Sequence, residues 1–270
     1  MSRYIMTEAE LRGVQLTQLE LLQEVNRICK KCNIHYNIIA GTLLGAVRHQ
    51  GFIPWDDDAD VALLREEYDR FCEVCKTELN HEKYYFQDHK HTEGYRWGYG
   101  KLRKKNTQFV REHQEDMPYE QGIFIDIFPL DNVPQNRLHR MMFNFKYYML
   151  RKCMWAPIGV KSSNGFLPKI FYWCLNKISD KIIYKCYNNC VEKSKKIKSD
   201  WVRILTYPTP TKDYAYKRIW YEHSKEIEFE NIMFNGIKDY DEYLTFKFGQ
   251  YMQLPPEGER KIHAVSCLKL

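Results

Sequence analysis

The 270-residue sequence contains no uninterrupted apolar run of the roughly 18 residues that a transmembrane helix requires. Its first residues, MSRYIMTEAELRG, include no apolar core of the kind that secretory signal peptides carry. Internal repeats and low-complexity tracts are also missing. These absences argue against a membrane-spanning, secreted or fibrous protein, and we expect a cytoplasmic globular chain.

Cysteine does not supply a disulfide framework. The count is nine, which is odd, and without a secretory signal we expect reduced thiols. Two pairs, Cys29/Cys32 and Cys72/Cys75, have the C-x-x-C spacing of zinc sites. Both lie inside helical patterns, whereas zinc knuckles sit on turns, so buried structural cysteines are the favoured interpretation.

Acidic residues are scarce in one region. Residues 137–198 contain 14 Lys and Arg but only two acids, a net charge of +12, whereas the whole chain has +6. Such a segment indicates either an anionic partner or simply a solvated face.

The periodicity of apolar residues predicts an α+β fold: a small mixed sheet in residues 35–130, flanked by helices. A capping box, Thr7-x-x-Glu10, opens a helix to about Asn33. Strands are predicted near 36–40, 60–64, 84–86, 97–103, 122–129 and 201–207, and helices at 43–48, 65–79, 136–198 (broken at 157–168) and 240–251. We expect a catalytic core in 1–135 and a mainly helical part in 136–270, which could form one continuous domain with it.

The most informative motif is Trp55-Asp-Asp-Asp-Ala-Asp-Val61, with four acids in five residues. In a strand, Asp56, Asp58 and Asp60 project to one face because side chains alternate. A row of carboxylates running into an apolar strand is typical of a Mg²⁺ site that also holds phosphate. The alternative is an exposed Asp-rich loop; an EF-hand is excluded because its Gly and Glu positions are not matched.

A second acid, Asp126, lies alone within the apolar run Ile123-Phe-Ile-Asp-Ile-Phe128. Such a residue in a central strand must be paired or functional. It joins Asp58 and Asp60 if its strand neighbours residues 60–64. The alternative is a buried salt bridge to Arg103 or Arg48.

A third feature is Gly41-Thr42, between a predicted strand and a short helix. A helix N-terminus presents free backbone N–H groups and a positive partial charge, and Gly allows a phosphate to approach the backbone closely.

Together these parts resemble the nucleotidyltransferase superfamily, and within it the LicD family. The resemblance rests on GTLLGAVRHQGFIPWDDDADV at 41–61 and GIFIDIFPLD at 122–131, supported by KLRKKNT at 101–107 and FGQYMQLPP at 248–256. It implies a phosphotransferase that moves phosphocholine, or another alcohol phosphate, from a CDP-alcohol to a sugar hydroxyl of a cell-surface glycan such as teichoic acid or lipopolysaccharide. Fukutin-type ribitol-phosphate transferases share the core.

Carried onto this sequence, the resemblance implies that Asp58 and Asp60 bind Mg²⁺ or Mn²⁺ and that Asp126 is a third metal ligand or the catalytic base. Gly41 and Thr42 would cradle phosphate. Three basic residues, Arg48, Lys101 and Arg103, would hold phosphate oxygens, with surface salt bridges as the alternative.

A choline headgroup would need an aromatic cage, for which the candidates are Trp55, Tyr95, Trp97 and Tyr99; core packing is the favoured alternative. The resemblance also implies an acceptor glycan that is often built on a lipid carrier at the inner membrane face. Residues 166–185 interleave apolar side chains with lysines and are a candidate membrane contact, although an ordinary amphipathic core helix is favoured.

Two other functions share parts of this pattern. A polynucleotide-adding or sugar-phosphate nucleotidyltransferase would use the same three acids, and RNA would suit the basic segment. The sequence has no RNA-binding signature, so we expect no nucleic-acid partner. A non-enzymatic scaffold is the other alternative, but degenerate members of a fold usually lose an acid, and none is missing.

Overall fold

A computed structural model describes residues 4–209, 212–260 and 262–270. Eight α-helices and eleven strands lie within these ranges. The helices are α1 (Glu8–Cys32), α2 (Ala40–His49), α3 (Arg65–Glu78), α4 (Arg137–Ser162), α5 (Phe166–Asn176), α6 (Asp180–Lys195), α7 (Ile219–Glu222) and α8 (Tyr240–Phe248). The strands are β1 (Asn37–Ile38), β2 (Asp60–Leu64), β3 (Tyr84–Gln87), β4 (Gly100–Lys104), β5 (Gln108–Arg111), β6 (Phe124–Asn132), β7 (Trp201–Arg203), β8 (Tyr216–Lys217), β9 (Ser224–Phe229), β10 (Ile232–Ile237) and β11 (Val265–Lys269).

The predicted α+β class is confirmed. The main sheet has the order β3-β4-β6-β2-β1-β10-β9, with β7 and β8 continuing from the far end of β6. It is mixed, because β2 pairs with β6 in parallel while β1 and β4 run antiparallel to β2 and β6. A second, two-stranded sheet pairs β11 with β5.

The sheet is larger than residues 35–130 alone would make it. Strands β7 to β10 come from the chain after residue 200, and β10 pairs with β1 in the same sheet as β2 and β6. The core follows this arrangement, since Trp220, Tyr221 and Phe229 are buried in one cluster with residues of α1, β2 and β6. The boundary expected at residue 135 falls between β6 and α4 and stays a prediction.

The first helix forms as its sequence predicts. The Glu10 N–H donates to Thr7 Oγ1 at 3.2 Å, and the Thr7 N–H donates to the Glu10 carboxylate at 2.8 Å, so both halves of the capping box are present. The helix ends at Cys32, and the next residue, Asn33, adopts the left-handed conformation common after helix C-termini. Its buried face includes Gln15 and Gln18, whose amides reach the acidic segment described below.

The break predicted at Pro157 is wrong. Helix α4 continues through Pro157 and ends at Ser162, so the interruption before α5 is only residues 163–165. Proline cannot donate to the carbonyl four residues earlier. That carbonyl belongs to Cys153, and it accepts a hydrogen bond from Arg96 Nη2 at 3.1 Å. The replacement donor satisfies the acceptor that the proline leaves, which is why the helix is not ended there.

Within the described residues, every helix falls short of the length and apolarity needed to cross a bilayer.

A buried ion pair joins α3 to the sheet. Arg65 donates two hydrogen bonds to the Asp131 carboxylate, at 2.8 Å and 2.6 Å, and Ser194 Oγ adds a third from α6 at 3.0 Å. Asp131 has no exposed surface. Because both charges are buried, removing one leaves the other without its buried partner.

We therefore expect Asp131→Asn to lower the free energy of unfolding by about 3–5 kcal/mol, as measured by urea denaturation. The matched control is Asp69→Asn, because Asp69 also contacts Arg65, at 3.5 Å, but its side chain is 32% exposed. An exposed pair should contribute less than about 1 kcal/mol. Equal losses in the two variants would contradict the assignment of Asp131 as the residue that compensates Arg65.

Candidate active site

The acidic segment before β2 divides by burial. Asp57 is completely buried, whereas Asp56, Asp58 and Asp60 each keep some exposed surface. Helix α1 fixes the backbone of this segment: Gln15 Nε2 donates to the Asp56 carbonyl at 3.0 Å and Gln18 Nε2 to the Asp57 carbonyl at 2.9 Å.

Asp57 has two side-chain partners that sequence reasoning missed. Arg111 Nη1 donates to one carboxylate oxygen at 2.8 Å, and His263 Nδ1 lies 2.7 Å from the other. Burial raises the pKa of Asp57, but the His263 hydrogen bond and the Arg111 charge outweigh it, so the net shift is downward. Asp57 is therefore a charged structural anchor that connects β5 and the segment before β11 to the acidic row.

The pKa values of the three remaining acids of the segment shift in the opposite direction, upward. Burial, followed by the charges of Asp58 and Asp57, raises the pKa of Asp56 to about 8. Burial also raises the pKa of Asp58, although His263 and Arg111 oppose the shift. The pKa of Asp60 rises well above its ordinary value because of burial and then the charges of Asp58 and Asp126. The row thus resists full ionisation unless a cation neutralises it.

Asp126 lies beside this row, as its predicted strand would require. In the parallel pairing of β2 with β6, Asp60 and Asp126 are direct partners. Lys101, on the antiparallel neighbour β4, donates a short hydrogen bond to the Asp126 carboxylate. Burial lowers the pKa of Lys101 to about 8, against the opposing effect of Asp126. The partner of Asp126 is therefore Lys101, not Arg103 or Arg48.

Gly41 and Thr42 lie in the first turn of α2, directly above the acids. A side chain at Gly41 would collide with Asp56, because an added Cβ would lie 2.7 Å from Asp56 Oδ2. The Thr42 hydroxyl accepts a hydrogen bond from the Asp60 N–H at 2.8 Å, so it holds the helix against the start of β2. Just before Gly41, Ala40 adopts a left-handed conformation (φ 49°), and its N–H donates to the Tyr243 hydroxyl at 3.3 Å.

The three predicted basic residues lie in different places. Lys101 and Arg103 are buried and face the same cavity as Asp126. Arg103 also donates to Gln87 and to the Gly122 carbonyl, each at 2.7 Å. Arg48 is elsewhere: its guanidinium donates to the Tyr251 carbonyl at 2.7 Å and to the Gln253 carbonyl at 3.3 Å, and it lines neither cavity beside the acids.

Two cavities flank the acidic row, and Tyr207 lines both. The first, of about 330 Å³, is basic and aromatic; we call it the basic cavity. Its lining includes Asp58, Asp126, Lys101, Arg103, Arg111, His263, Trp97, Tyr99 and Trp155. The second, of about 280 Å³, is the tyrosine cavity. Its lining includes Gly41, Asp56, Asp60, Lys247, Phe128 and the tyrosines Tyr207, Tyr216, Tyr221 and Tyr243.

Three of the four candidate cage aromatics lie together, and one does not. Tyr95 and Trp97 belong to one core cluster, against which Tyr99 packs, and Tyr95 is completely buried there. Trp55 lies elsewhere, under the Arg260 guanidinium at 4.6 Å. Trp97 and Tyr99 line the basic cavity, where Lys101, Arg103 and Arg111 would repel a quaternary ammonium. The four aromatics therefore do not form one cage around a cation.

Among the described residues, one group of three acidic or imidazole side chains has its ligand atoms within 4.8 Å of one another: Asp57, Asp58 and His263. Both carboxylate oxygens of Asp57 are already hydrogen-bonded in this group, one to Arg111 and the other to His263. Burial, and after it the charges of Asp58 and Asp126, raise the pKa of Asp60, but these three acids do not form such a group.

The two C-x-x-C pairs do not form a metal centre within the described chain, where all nine cysteines are free thiols. Burial raises the pKa of Cys72 to about 12 and also raises the pKa of Cys29 and Cys75. This opposes the thiolate form that zinc requires.

Comparison with known proteins agrees with this geometry. The family model described as LicD/FKTN/FKRP, nucleotidyltransferase domain, matches residues 33–166. The chain is also 31% identical to the lipopolysaccharide cholinephosphotransferase LicD of Haemophilus influenzae, over 96% of this chain and 98% of that protein. The chain belongs to the LicD family. The matched domain contains Gly41, the acidic row, Lys101 and Asp126.

Two uncharacterised rickettsial proteins share shorter stretches. One from Rickettsia prowazekii is 29% identical over 54% of this chain and 49% of its own length. One from Rickettsia typhi is 35% identical over 27% of this chain and 26% of its own length. In this LicD-family chain, His263 and Lys247 of the site lie outside the matched domain, so the C-terminal part completes both cavities.

The pKa of Asp56 is raised and that of Asp57 is lowered. Replacing each with asparagine in the metal-free protein should therefore change its stability in opposite directions. The folded-state pKa of Asp56 is raised, so wild-type stability falls as the pH rises from about 4 towards 8. Asp56→Asn should remove this loss and gain stability relative to wild type between pH 5 and pH 8. The pKa of Asp57 is lowered, so its stabilisation is present above about pH 4 and is lost only as the pH falls further.

Asp57→Asn should accordingly lower the free energy of unfolding by about 3 kcal/mol at pH 5 and at pH 8. Urea denaturation in EDTA measures both variants, and each serves as the control for the other. Shifts of the same sign at pH 8 would contradict this division of the acidic segment.

Proposed function

We propose that this protein transfers an alcohol phosphate, with phosphocholine as the first candidate, from a CDP-alcohol to a sugar hydroxyl of a cell-surface glycan such as lipopolysaccharide. The observation that carries the proposal is the pairing of Asp60 with Asp126 across β2 and β6, beside Asp58 and below the N-terminus of α2. The near full-length similarity to a lipopolysaccharide cholinephosphotransferase supports the choice of group and acceptor.

The donor set suits a divalent cation. Carboxylate oxygens are the ligands that Mg²⁺ and Mn²⁺ prefer. Burial, and after it the charges of neighbouring acids, raise the pKa values of Asp56, Asp58 and Asp60, and a bound cation would offset both effects. We propose Asp58 and Asp60 as ligands, with Asp126 as either the third ligand or the base. When bound, the cation would neutralise charge on the phosphoryl oxygens and on the departing CMP.

We assign one of the two substrates to each cavity: the nucleotide to the tyrosine cavity and the acceptor sugar to the basic cavity. The tyrosine cavity combines the first turn of α2, the Lys247 ammonium and several aromatic rings. Backbone N–H groups and a lysine suit a diphosphate, and aromatic rings suit a pyrimidine base. We therefore place the nucleotide there, with its diphosphate over Gly41.

The basic cavity would then receive the acceptor sugar. Asp58 and Asp126 line it, whereas Asp56 and Asp60 line the tyrosine cavity, so a hydroxyl bound there would reach the acids from a different cavity than the nucleotide. In-line displacement likewise needs the attacking and departing oxygens on different sides of the phosphorus. Asp126 lies on this side and is positioned to take the hydroxyl proton, with Lys101 holding its carboxylate in place. Arg103 and Arg111 would bind anionic groups of the glycan or of the transferred phosphate.

Asp58→Asn and Asp60→Asn should each reduce CMP release from CDP-choline by at least about 10³-fold, because an amide keeps the shape but removes the charge that binds the cation. The assay uses a panel of CDP-alcohols with a lipopolysaccharide acceptor, and circular dichroism confirms folding. The matched control is Asp239→Asn, an exposed residue before α8 whose side chain makes no capping hydrogen bond.

Wild-type turnover in either variant would contradict the proposal that Asp58 and Asp60 bind the cation. If the wild type releases no CMP from any CDP-alcohol but binds single-stranded RNA, the protein is a nucleotidyltransferase with a different acceptor.

Asp126→Asn separates the two roles left open for that residue. Turnover should fall by at least about 100-fold in either role. If Asp126 is the base, the affinity for CDP with Mg²⁺ should stay close to that of wild type. If it is a metal ligand, CDP affinity should fall as far as in Asp60→Asn. Unchanged turnover with lower stability would instead reduce Asp126 to a structural partner of Lys101.

A further inference from the structure

Helix α5 is the least buried helix of the fold, although it is among the most apolar. Its sequence is FLPKIFYWCLN, and none of its residues is buried. Phe166 is 78% exposed, Leu167 76% and Trp173 56%. A core helix would bury these side chains, so the core-helix interpretation favoured from sequence is wrong for residues 166–176.

The first half of α4 shows the same property. Leu138 is 62% exposed, and Met142 and Phe145 are each 69% exposed. Their spacing of four and three residues places them on one face of the helix. Helix α4 therefore adds a second apolar stripe to the exposed face of α5. We call the exposed apolar residues of α4 and α5, together with Lys146, Lys169, Lys177, Lys181 and Lys185, the hairpin surface.

Helices α4 and α5 form a hairpin that specific contacts hold together. Only residues 163–165 separate the two helices, and α5 packs back along α4 through Tyr172, which lies against Gly159. An added Cβ at Gly159 would lie 2.4 Å from the Tyr172 ring, so only glycine allows this approach. Lys152 Nζ donates to the Tyr172 hydroxyl at 2.7 Å and fixes the pair.

The helices that carry these apolar side chains, together with α6 that follows them, are strongly basic. The region 137–198 has a net charge of +12. Lys146, Lys169, Lys177, Lys181 and Lys185 are all exposed, and within the described chain none lies within 4 Å of a carboxylate. Lys177 Nζ lies 4.9 Å from the centre of the Trp173 ring, an arrangement in which the aliphatic stem covers apolar surface and the charge reaches water.

We propose that the hairpin surface docks onto an anionic lipid bilayer, with its aromatic and aliphatic side chains in the interfacial region and its lysines on the headgroups. Exposed aromatics and aliphatics with interleaved lysines are the composition of interfacial helices. A second copy of the chain is a poor occupant, because it would bring two regions of +12 together. An anionic bilayer satisfies both the apolar and the charged groups.

Docking would also orient the site. Trp155, on the same helix α4, lines the basic cavity and contacts Trp97 with ring centres 5.4 Å apart. A membrane held against the hairpin would therefore lie near the proposed acceptor cavity. This consequence rests on the proposed function and suits an acceptor attached to a lipid; the docking itself does not depend on it.

Vesicle flotation of the full chain, without substrates, tests the docking directly. We expect binding to vesicles of phosphatidylcholine with about one third phosphatidylglycerol. Binding should be at least about tenfold weaker when the salt concentration rises from about 50 mM to about 500 mM, because salt screens the attraction between the lysines and the anionic lipids. Phe166→Ser with Leu167→Ser, and separately Lys177→Glu with Lys181→Glu, should each weaken binding at least tenfold. All four side chains are exposed, so thermal melting should be unchanged.

Matched controls are available elsewhere on the surface. Lys90→Glu with Lys238→Glu makes the same charge change outside the hairpin, and Ile5→Ser removes an apolar side chain that is 83% exposed. Both should bind vesicles as wild type does. The proposal is overturned if wild type does not float, if the hairpin variants float equally well, or if light scattering shows a dimer that the hairpin variants convert to monomer.

Discussion

The mutual repulsion of four carboxylates within five residues is the constraint on which the rest of the site depends. The chain carries this charge into the start of a buried strand, where an unpaired carboxylate is costly. Asp57 is completely buried, and Arg111 and His263 contact its two carboxylate oxygens. The pKa values of Asp56, Asp58 and Asp60 are raised, while Asp126 adds a further acid beside Asp60 and Lys101 compensates only Asp126.

The surrounding fold brings compensating groups from distant parts of the chain to this row. Helix α1 holds the backbone of the acidic segment through Gln15 and Gln18, while Thr42 attaches α2 to the first residue of β2. Gly41 leaves room for the Asp56 carboxylate. The residues after 200 close both cavities and supply His263, Lys247 and Tyr207. The site is therefore a product of the whole chain and not of the acidic motif alone.

Local signals in the sequence were sufficient where the determining interactions are local. The capping box and the apolar run around Asp126 act over a few residues, and the helix and strand that they predict are present. The predicted row of Asp56, Asp58 and Asp60 on one strand face is not formed, because β2 begins only at Asp60 and Asp58 lies with Asp57 near His263. The hairpin of β9 and β10 was missed because its turn residues, Glu230 and Asn231, take positive φ angles of 52° and 60° without glycine. Contacts of Glu230 with Arg12 and with the Phe52 N–H stabilise that turn, and they are visible only in the folded protein.

Long-range contacts also explain the other differences. Arg96 allows α4 to pass Pro157, and no pattern near the proline indicates this. His263 lies 206 residues from its partner Asp57, so its spacing carries no signal. The family resemblance implies that Arg48 holds phosphate, and in the folded chain this residue, in the last turn of α2, donates to the carbonyls of Tyr251 and Gln253. Distance along the chain was a poor guide to the position of these side chains.

The central claim is that the acidic row is held partly protonated until a divalent cation neutralises it. Calorimetric titration of Mg²⁺ with CDP at pH 7, repeated in buffers of different ionisation enthalpy, measures the protons released on binding. With the pKa of Asp56 raised to about 8, binding should release about one proton per cation, and the release should decline above pH 8. Cation binding without proton release, or no cation binding at all, would contradict the account.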